Sequence, residues 1–246
     1  MTTRRFELFD RYPIRCKAFL PDNGAAEKIV IGVHGFAGDK ESSMLKKLGR
    51  AAAAKGWGLV CFDFPAHGAS PQGANDLTVD NCIADLLAVS AWARESFSLA
   101  QICVFATSFG GYISLLAADR LEGCPMVLRA PAVTMDEVLL NAILHTSADE
   151  FRHAEVMECG FERKIALPCA FYEDLTKHDP FQSIYTQPML IIHGAKDDVV
   201  PPADVARFCQ GRDNARLIVM ENADHRFKNP GELDAIVEAA IAFFET

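Results

Sequence analysis

No stretch of this sequence approaches the about 18 consecutive apolar residues of a membrane-spanning helix, so the chain is not expected to cross a bilayer. It also lacks any long run of Lys and Arg. Against 24 Lys and Arg stand 33 Asp and Glu, a net charge of −9, which argues against a nucleic-acid or anionic-membrane surface. Cys-x-x-Cys pairs are absent, and the eight cysteines are dispersed from Cys16 to Cys209. Cys61 and Cys103 fall inside apolar, strand-like runs, where a reduced, core-packed thiol is the simpler reading. A disulfide scaffold is therefore not expected. The opening "MTTRRFELFDRYPIRCKAFLP" scatters its charges and has no apolar signal-peptide core, which together with the cysteine usage predicts a cytoplasmic location. No internal repeat or low-complexity segment is found. No two histidines share helix-face spacing with a third ligand nearby, so neither a metal nor another cofactor is expected.

What remains is a globular chain of 246 residues, half of them hydrophobic, large enough to bury a core without disulfide or metal staples. Apolar runs alternate with amphipathic ones. "KIVIGVHGF" (28–36), "WGLVCFDF" (57–64), "QICVFAT" (101–107), "PMVLRAP" (125–131), "PMLIIHG" (188–194) and "ARLIVME" (215–221) read as strands. Between them, 42–56, 78–97 and 109–120 read as helices, the first stopped by Gly56, and a last helix over 230–244 starts at Pro230. Such alternation implies right-handed βαβ units and a mainly parallel sheet covered on both faces. Segments 5–9 and 14–20, parted by Tyr12 and Pro13, look like an antiparallel edge hairpin. The interval from Pro131 to Pro188 is too long for a simple crossover. Within it "MDEVLLNAILH" (135–145) reads as a helix apolar on most of its surface, and 160–175 as a short extended pair or helix with Phe161, Phe171 and Tyr172 clustered. Residues 1–246 are thus read as one domain, with a lid inserted over about 134–180 at the mouth of the sheet.

Three motifs fall at strand ends, where open α/β sheets carry their chemistry. "FATSFGGY" (105–112) puts Ser108 on a strand-to-helix turn, which would push its hydroxyl out of the sheet beside a positive helix N-terminus. The pattern is Gly-x-Ser-x-Gly with Ala106 in the first position, a departure of one methyl. A serine nucleophile needs a base, and the base an orienting group. "LIIHGAKDDVVP" (190–201) supplies Asp197, preferred over Asp198 by its spacing to Val200, and "MENADHRF" (220–227) supplies His225. The order Ser, Asp, His is the one expected on this fold. An oxyanion hole would take the N–H of Phe109, which follows the nucleophile, and of Phe36 in "HGFAGDK" (34–40), with Gly35 letting that backbone approach substrate. His34, His67 and His193 are read as loop-shaping, and His145, His153 and His178 as solvated. Asp224 is read as ordering the histidine loop.

Together, "HGFAGDK", "DFPAHGAS", "ATSFGGY", "HGAKDDVVP" and "ADHRF" resemble the α/β-hydrolase fold over nearly the whole chain. Within that superfamily the chain is most similar to the serine aminopeptidase and monoacylglycerol-lipase-like group, which includes bacterial cinnamoyl (feruloyl) esterases. The resemblance implies an eight-stranded sheet with its second strand antiparallel and a small lid between strands 6 and 7. It also implies Ser108 as nucleophile, Asp197 as acid, His225 as base, and Phe36 and Phe109 as oxyanion donors. The expected activity is hydrolysis of small carboxylic esters, short acyl or aromatic, through an acyl-enzyme, with Phe171 and Tyr172 helping to bind substrate. Aminopeptidase, amidase or thioesterase chemistry uses the same triad and stays open, as does a non-catalytic binding role. A small-molecule ester is the expected partner, acted on by a monomer or homodimer.

Overall fold

In the computed structural model, which describes residues 1–98, 100–160 and 164–246, the chain folds around one eight-stranded sheet. In chain order the elements begin with β1 (Thr2–Phe9), β2 (Pro13–Leu20), β3 (Lys28–Val33), α1 (Ser43–Ala54), β4 (Gly58–Phe62), α2 (Val79–Ser96), β5 (Gln101–Thr107), α3 (Phe109–Leu116) and β6 (Met126–Arg129). They continue with α4 (Met135–Val138), α5 (Ala148–Ala154), β7 (Val156–Cys159), β8 (Ile165–Pro168), α6 (Cys169–Leu175), β9 (Met189–Gly194), α7 (Pro202–Cys209), β10 (Ala215–Met220) and α8 (Glu232–Glu245). The sheet order is β1-β2-β4-β3-β5-β6-β9-β10. β2 runs antiparallel to both of its neighbours and every other pairing is parallel, as the resemblance implied.

Burial follows from this topology. β4 and β9 are buried along their whole length, as strands covered on both faces must be, and their sequences are accordingly almost continuous apolar runs. Edge strand β1 keeps most of its residues exposed. One face of the sheet is covered by α1 and α8, whose Leu45, Leu48, Ile236 and Phe244 pack on Val30, Leu59, Phe105 and Val127. The other face is covered by α2, α3 and α7 and by the segment between β6 and β9. The helix ends obey local chemistry. Ser42 caps α1 by accepting the Leu45 N–H at 3.3 Å, and Thr78 caps α2 through the Asn81 N–H at 3.1 Å.

Three helices differ from expectation. α3 ends at Leu116 and gives way to a 3-10 turn over Ala118–Arg120, where bonding tightens to i→i+3. α8 starts after Pro230, because Gly231 turns the chain at φ +85° and the Glu232 carboxylate caps backward onto Asn229 N–H. The predicted helix over 135–145 is α-helical only through Val138; it continues as a π-helix, Leu139–Leu144, which ends at left-handed His145.

That π-helix belongs to the long segment between β6 and β9. α5 follows it, opened by a capping box in which Ser147 and Glu150 serve each other's backbone. β7 and β8 then pair antiparallel, and α6 leads back to the body. Two contacts latch α6 down: the Asp174 carboxylate accepts the Val79 N–H of α2 at 2.7 Å, and the Tyr112 hydroxyl of α3 meets the Leu175 carbonyl at 3.4 Å. Phe161, singled out with Phe171 and Tyr172, lies outside the described residues.

Candidate active site

β5 runs straight into α3, and the residue between them must reverse direction within one peptide. Ser108 does this at φ +50°, ψ −116°, a conformation costing roughly 1–3 kcal/mol for a residue with a side chain. Neighbouring backbone holds it there. The Ser108 N–H donates to the Arg129 carbonyl at 3.0 Å, and its carbonyl accepts from Tyr112 and Ala132 at 3.1 and 3.2 Å. The turn also needs small neighbours. A Cβ on Gly110 would lie 2.4 Å from the His34 carbonyl oxygen, whereas the Ala106 side chain faces the α2/α3 side and is fully buried there without conflict. Ala in place of Gly is therefore accommodated by the core.

The loops after β9 and β10 bring the partner groups in. His225 Nε2 stands 3.2 Å from Ser108 Oγ, and Nδ1 stands 2.8 Å from Asp197 Oδ2. Asp197 Oδ1 accepts the N–H groups of Val199 and Val200 at 2.9 and 2.8 Å, which is why Asp197 rather than Asp198 turns inward. Burial pushes the Asp197 carboxyl upward, but the hydrogen bond and charge of His225 and those two N–H groups outweigh it and hold it below its usual range. An ionised Asp197 keeps the His225 proton on Nδ1 and leaves Nε2 free to accept from the serine. Asp224 instead accepts from Arg226 N–H at 2.9 Å and pairs with Lys228 at 2.8 Å, ordering the loop as expected.

The loop after β3 faces this constellation. Gly35 lets it lie against Ser108: a Cβ there would stand 3.2 Å from Ser108 Cβ. His34 is buried, and burial holds its imidazole below the ordinary value. Neutral, it accepts the Phe64 N–H on Nε2 at 3.2 Å and donates from Nδ1 to the Gly35 carbonyl at 2.8 Å. Asp63 fixes the far end of the loop, accepting the Lys40 and Ala69 N–H groups at 2.8 Å each while pairing with the Lys40 ammonium. The Phe36 and Phe109 rings meet edge to face, centroids 5.9 Å apart.

A cavity of about 600 Å³ opens on Ser108 and His225. Gly35 and Phe36 line it from one side, Thr107 and Arg129 from the strand ends, and Ala142, Ile143 and His145 from the π-helix. Phe171 and Tyr172 are not among its lining residues. Phe171 points inward from α6, buried against the Phe36 and Phe109 rings at 6.1 and 6.0 Å, and Tyr172 packs beside Phe151 and Arg152. Both rings pack against the core cluster rather than the cavity, and the cavity wall comes from Ala142 and Ile143 of the π-helix instead.

Two residues near the site were not anticipated there. His67 is buried in van der Waals reach of the loop aromatics, its ring 5.3 Å from Phe36 and 5.2 Å from His34. Arg129 ends β6, and a charged residue closing the otherwise apolar "PMVLRAP" was the available signal. Its Nη2 donates to the His225 carbonyl at 3.2 Å and its guanidinium covers the Phe227 ring at 5.0 Å. Among the described residues, no group of three or more His, Cys, Asp or Glu is placed to hold a metal ion, and no helix is long and apolar enough to cross a membrane.

The fold is shared with solved structures of low sequence identity. Est1E from Butyrivibrio proteoclasticus, solved with ferulic acid bound, superposes with a TM-score of 0.82 at 22% identity, over 95% of this chain and 97% of that one. An α/β serine hydrolase without lid from Xanthomonas campestris gives 0.71 at 21% identity, over 99% and 94%. Alpha/beta hydrolase domain-containing protein 10 from mouse gives 0.75 at 16%, over 98% of each chain. No curated protein matches the sequence. A family model of the alpha/beta hydrolase fold matches residues 28–156, more than half of the sequence, and the chain belongs to that family.

Proposed function

We propose that the protein is a serine hydrolase that cleaves small carboxylic esters, with Ser108 as nucleophile, His225 as general base and Asp197 as its orienting acid. The observation that carries this is the unbroken hydrogen-bond chain from Ser108 Oγ through His225 to Asp197, opening on a cavity of about 600 Å³. His225 Nε2 takes the hydroxyl proton as Ser108 Oγ bonds to the ester carbonyl carbon. The carbonyl electron pair moves onto oxygen, where the Phe109 and Phe36 N–H groups would receive it. Collapse breaks the bond to the alcohol, which leaves with the proton from the imidazolium. Water then attacks the acyl-serine, His225 takes its proton, and Ser108 recovers that proton as the carboxylic acid departs. Residues 1–246 act as one domain in this reading, and the segment over about 134–180 serves as a lid, a role supported by the π-helix residues among the cavity lining.

Turnover of short-chain aryl esters, with covalent labelling of Ser108 by a fluorophosphonate, is the expected result, and Ser108→Ala should lose both. Absence of both in the wild-type protein rejects the proposal. An aminopeptidase would need a carboxylate to receive the free amine. Glu137, Asp149, Glu150, Glu173 and Asp174 are not among the cavity lining, and Glu158, which is, faces Lys164 at 3.9 Å at the exposed rim, so ester chemistry is favoured. Comparing an aminoacyl anilide with the matching acyl ester separates the two activities.

A further inference from the structure

The cavity is electrically unlike the molecule that contains it. The chain carries a net charge of −9, yet Arg129, Lys164 and Arg226 line the cavity against a single carboxylate, Glu158. Glu158 and Lys164 face each other at 3.9 Å and are both exposed, so they largely cancel at the rim. Arg129 is different. It sits at the inner end, only 8% exposed, with its backbone in register beside Thr107, one residue before Ser108. Its Nη2 is committed to the His225 carbonyl, while its Nε has no hydrogen-bond partner among the described residues. Asp197 and Asp224 are the carboxylates whose charge reaches it, and no side-chain ion pair with either is found among the described residues. Burial lowers its pKa only to about 10, so it is a full cation at neutral pH. Burying a guanidinium without a paired carboxylate is expensive, and such a group is completed when an oxyanion docks on it. The N-terminal turn of α1 lines the same cavity through Ser43, Met44 and Leu45 and has no acidic residue of its own, so its dipole adds to the positive potential.

We infer that the cavity selects esters bearing a second, free carboxylate, which docks toward Arg129 while the ester carbonyl lies at Ser108. This rests on the serine-hydrolase reading above and names the substrate class for it. Met44, Leu45, Val199 and Leu233 line the same cavity and would accommodate the aliphatic spacer between the two ends.

The test compares kcat/KM for monomethyl adipate and methyl hexanoate, which differ only in a terminal carboxylate for a methyl. A second arm compares the hexanoyl ester of glycolate with ethyl hexanoate and reports whether the charge belongs to the acyl or the alcohol half. The wild-type protein is expected to prefer the charged member at least tenfold in one arm. Arg129→Met is expected to reduce that ratio at least tenfold, whatever it does to both rates through the His225 loop. Should Arg129→Met fail to fold, Arg129→Lys takes its place and should lower the ratio without abolishing it. Turnover of methyl hexanoate with no preference in either arm overturns the inference and leaves the serine-hydrolase reading standing. A preference unchanged by the Arg129 substitutions overturns it likewise. No turnover of any ester, with no fluorophosphonate label on Ser108, overturns both.

Discussion

Ser108 is held in a strained backbone conformation by three hydrogen bonds, and Gly110 is what permits the packing around it. A β-branched side chain at 110 would collide with the backbone of His34 and Val33, neither of which can yield without opening β3. Gly110→Val should therefore express as insoluble or unfolded protein, and a cooperative, wild-type-like thermal transition would contradict the geometry. Asp197 supports a second expectation. In the proposed mechanism, Asp197→Asn places the wrong tautomer at His225 and should lower kcat by about 10⁴-fold. Stability should follow pH with a definite sign. A carboxyl held below its ordinary value contributes stability above about pH 4 and loses it as pH falls through the lowered value. Denaturant unfolding should show the wild-type advantage over Asp197→Asn at pH 7 shrinking steadily below pH 4; a constant difference would mean that Asp197 is not the ionised partner.

At the level of elements, one of the two hydrogen bonds that hold α6 to the body is a charge-assisted cap. Asp174 satisfies the Val79 N–H at the positive end of α2, so Asp174→Ala should destabilise by about 1 kcal/mol and speed amide exchange across Cys169–Leu175. Unchanged exchange there would show that the latch is elsewhere. The main-sheet elements could be read from sequence because each central strand is buried on both faces and writes itself as an apolar run, as in "VCF" of β4 and "LIIH" of β9. Ser108, Asp197 and His225 were legible for a related reason: each sits in a loop directly after a strand end, where order along the chain carries the geometry. The segment from Met135 to Leu175 was harder. A π-helix has the same composition as an α-helix, and the side of α6 that Phe171 would occupy depends on how α6 docks, which no local pattern encodes. Arg129 carried only a partial signal: a charge closing an apolar strand marks the position as unusual but does not say what lies over it.

For the whole molecule, all eight cysteines are free thiols, and burial raises the pKa of Cys16, Cys61 and Cys103 well above the ordinary thiol value. Stability rests on the two layers packed against the sheet, so the melting temperature should be the same with and without dithiothreitol. A drop on reduction would reveal a disulfide that this arrangement excludes. The two sides of the cavity also differ in origin. The Ser108 turn and the loop after β3 touch so closely at Gly110 that they form one rigid block on the sheet, while Ala142, Ile143, His145 and Glu158 come from a segment outside it. Under the proposed function, sequence drift or deliberate grafting in that outer segment would retune what is admitted while the reacting groups stay in place, so relatives of this protein should diverge in diet sooner than in chemistry.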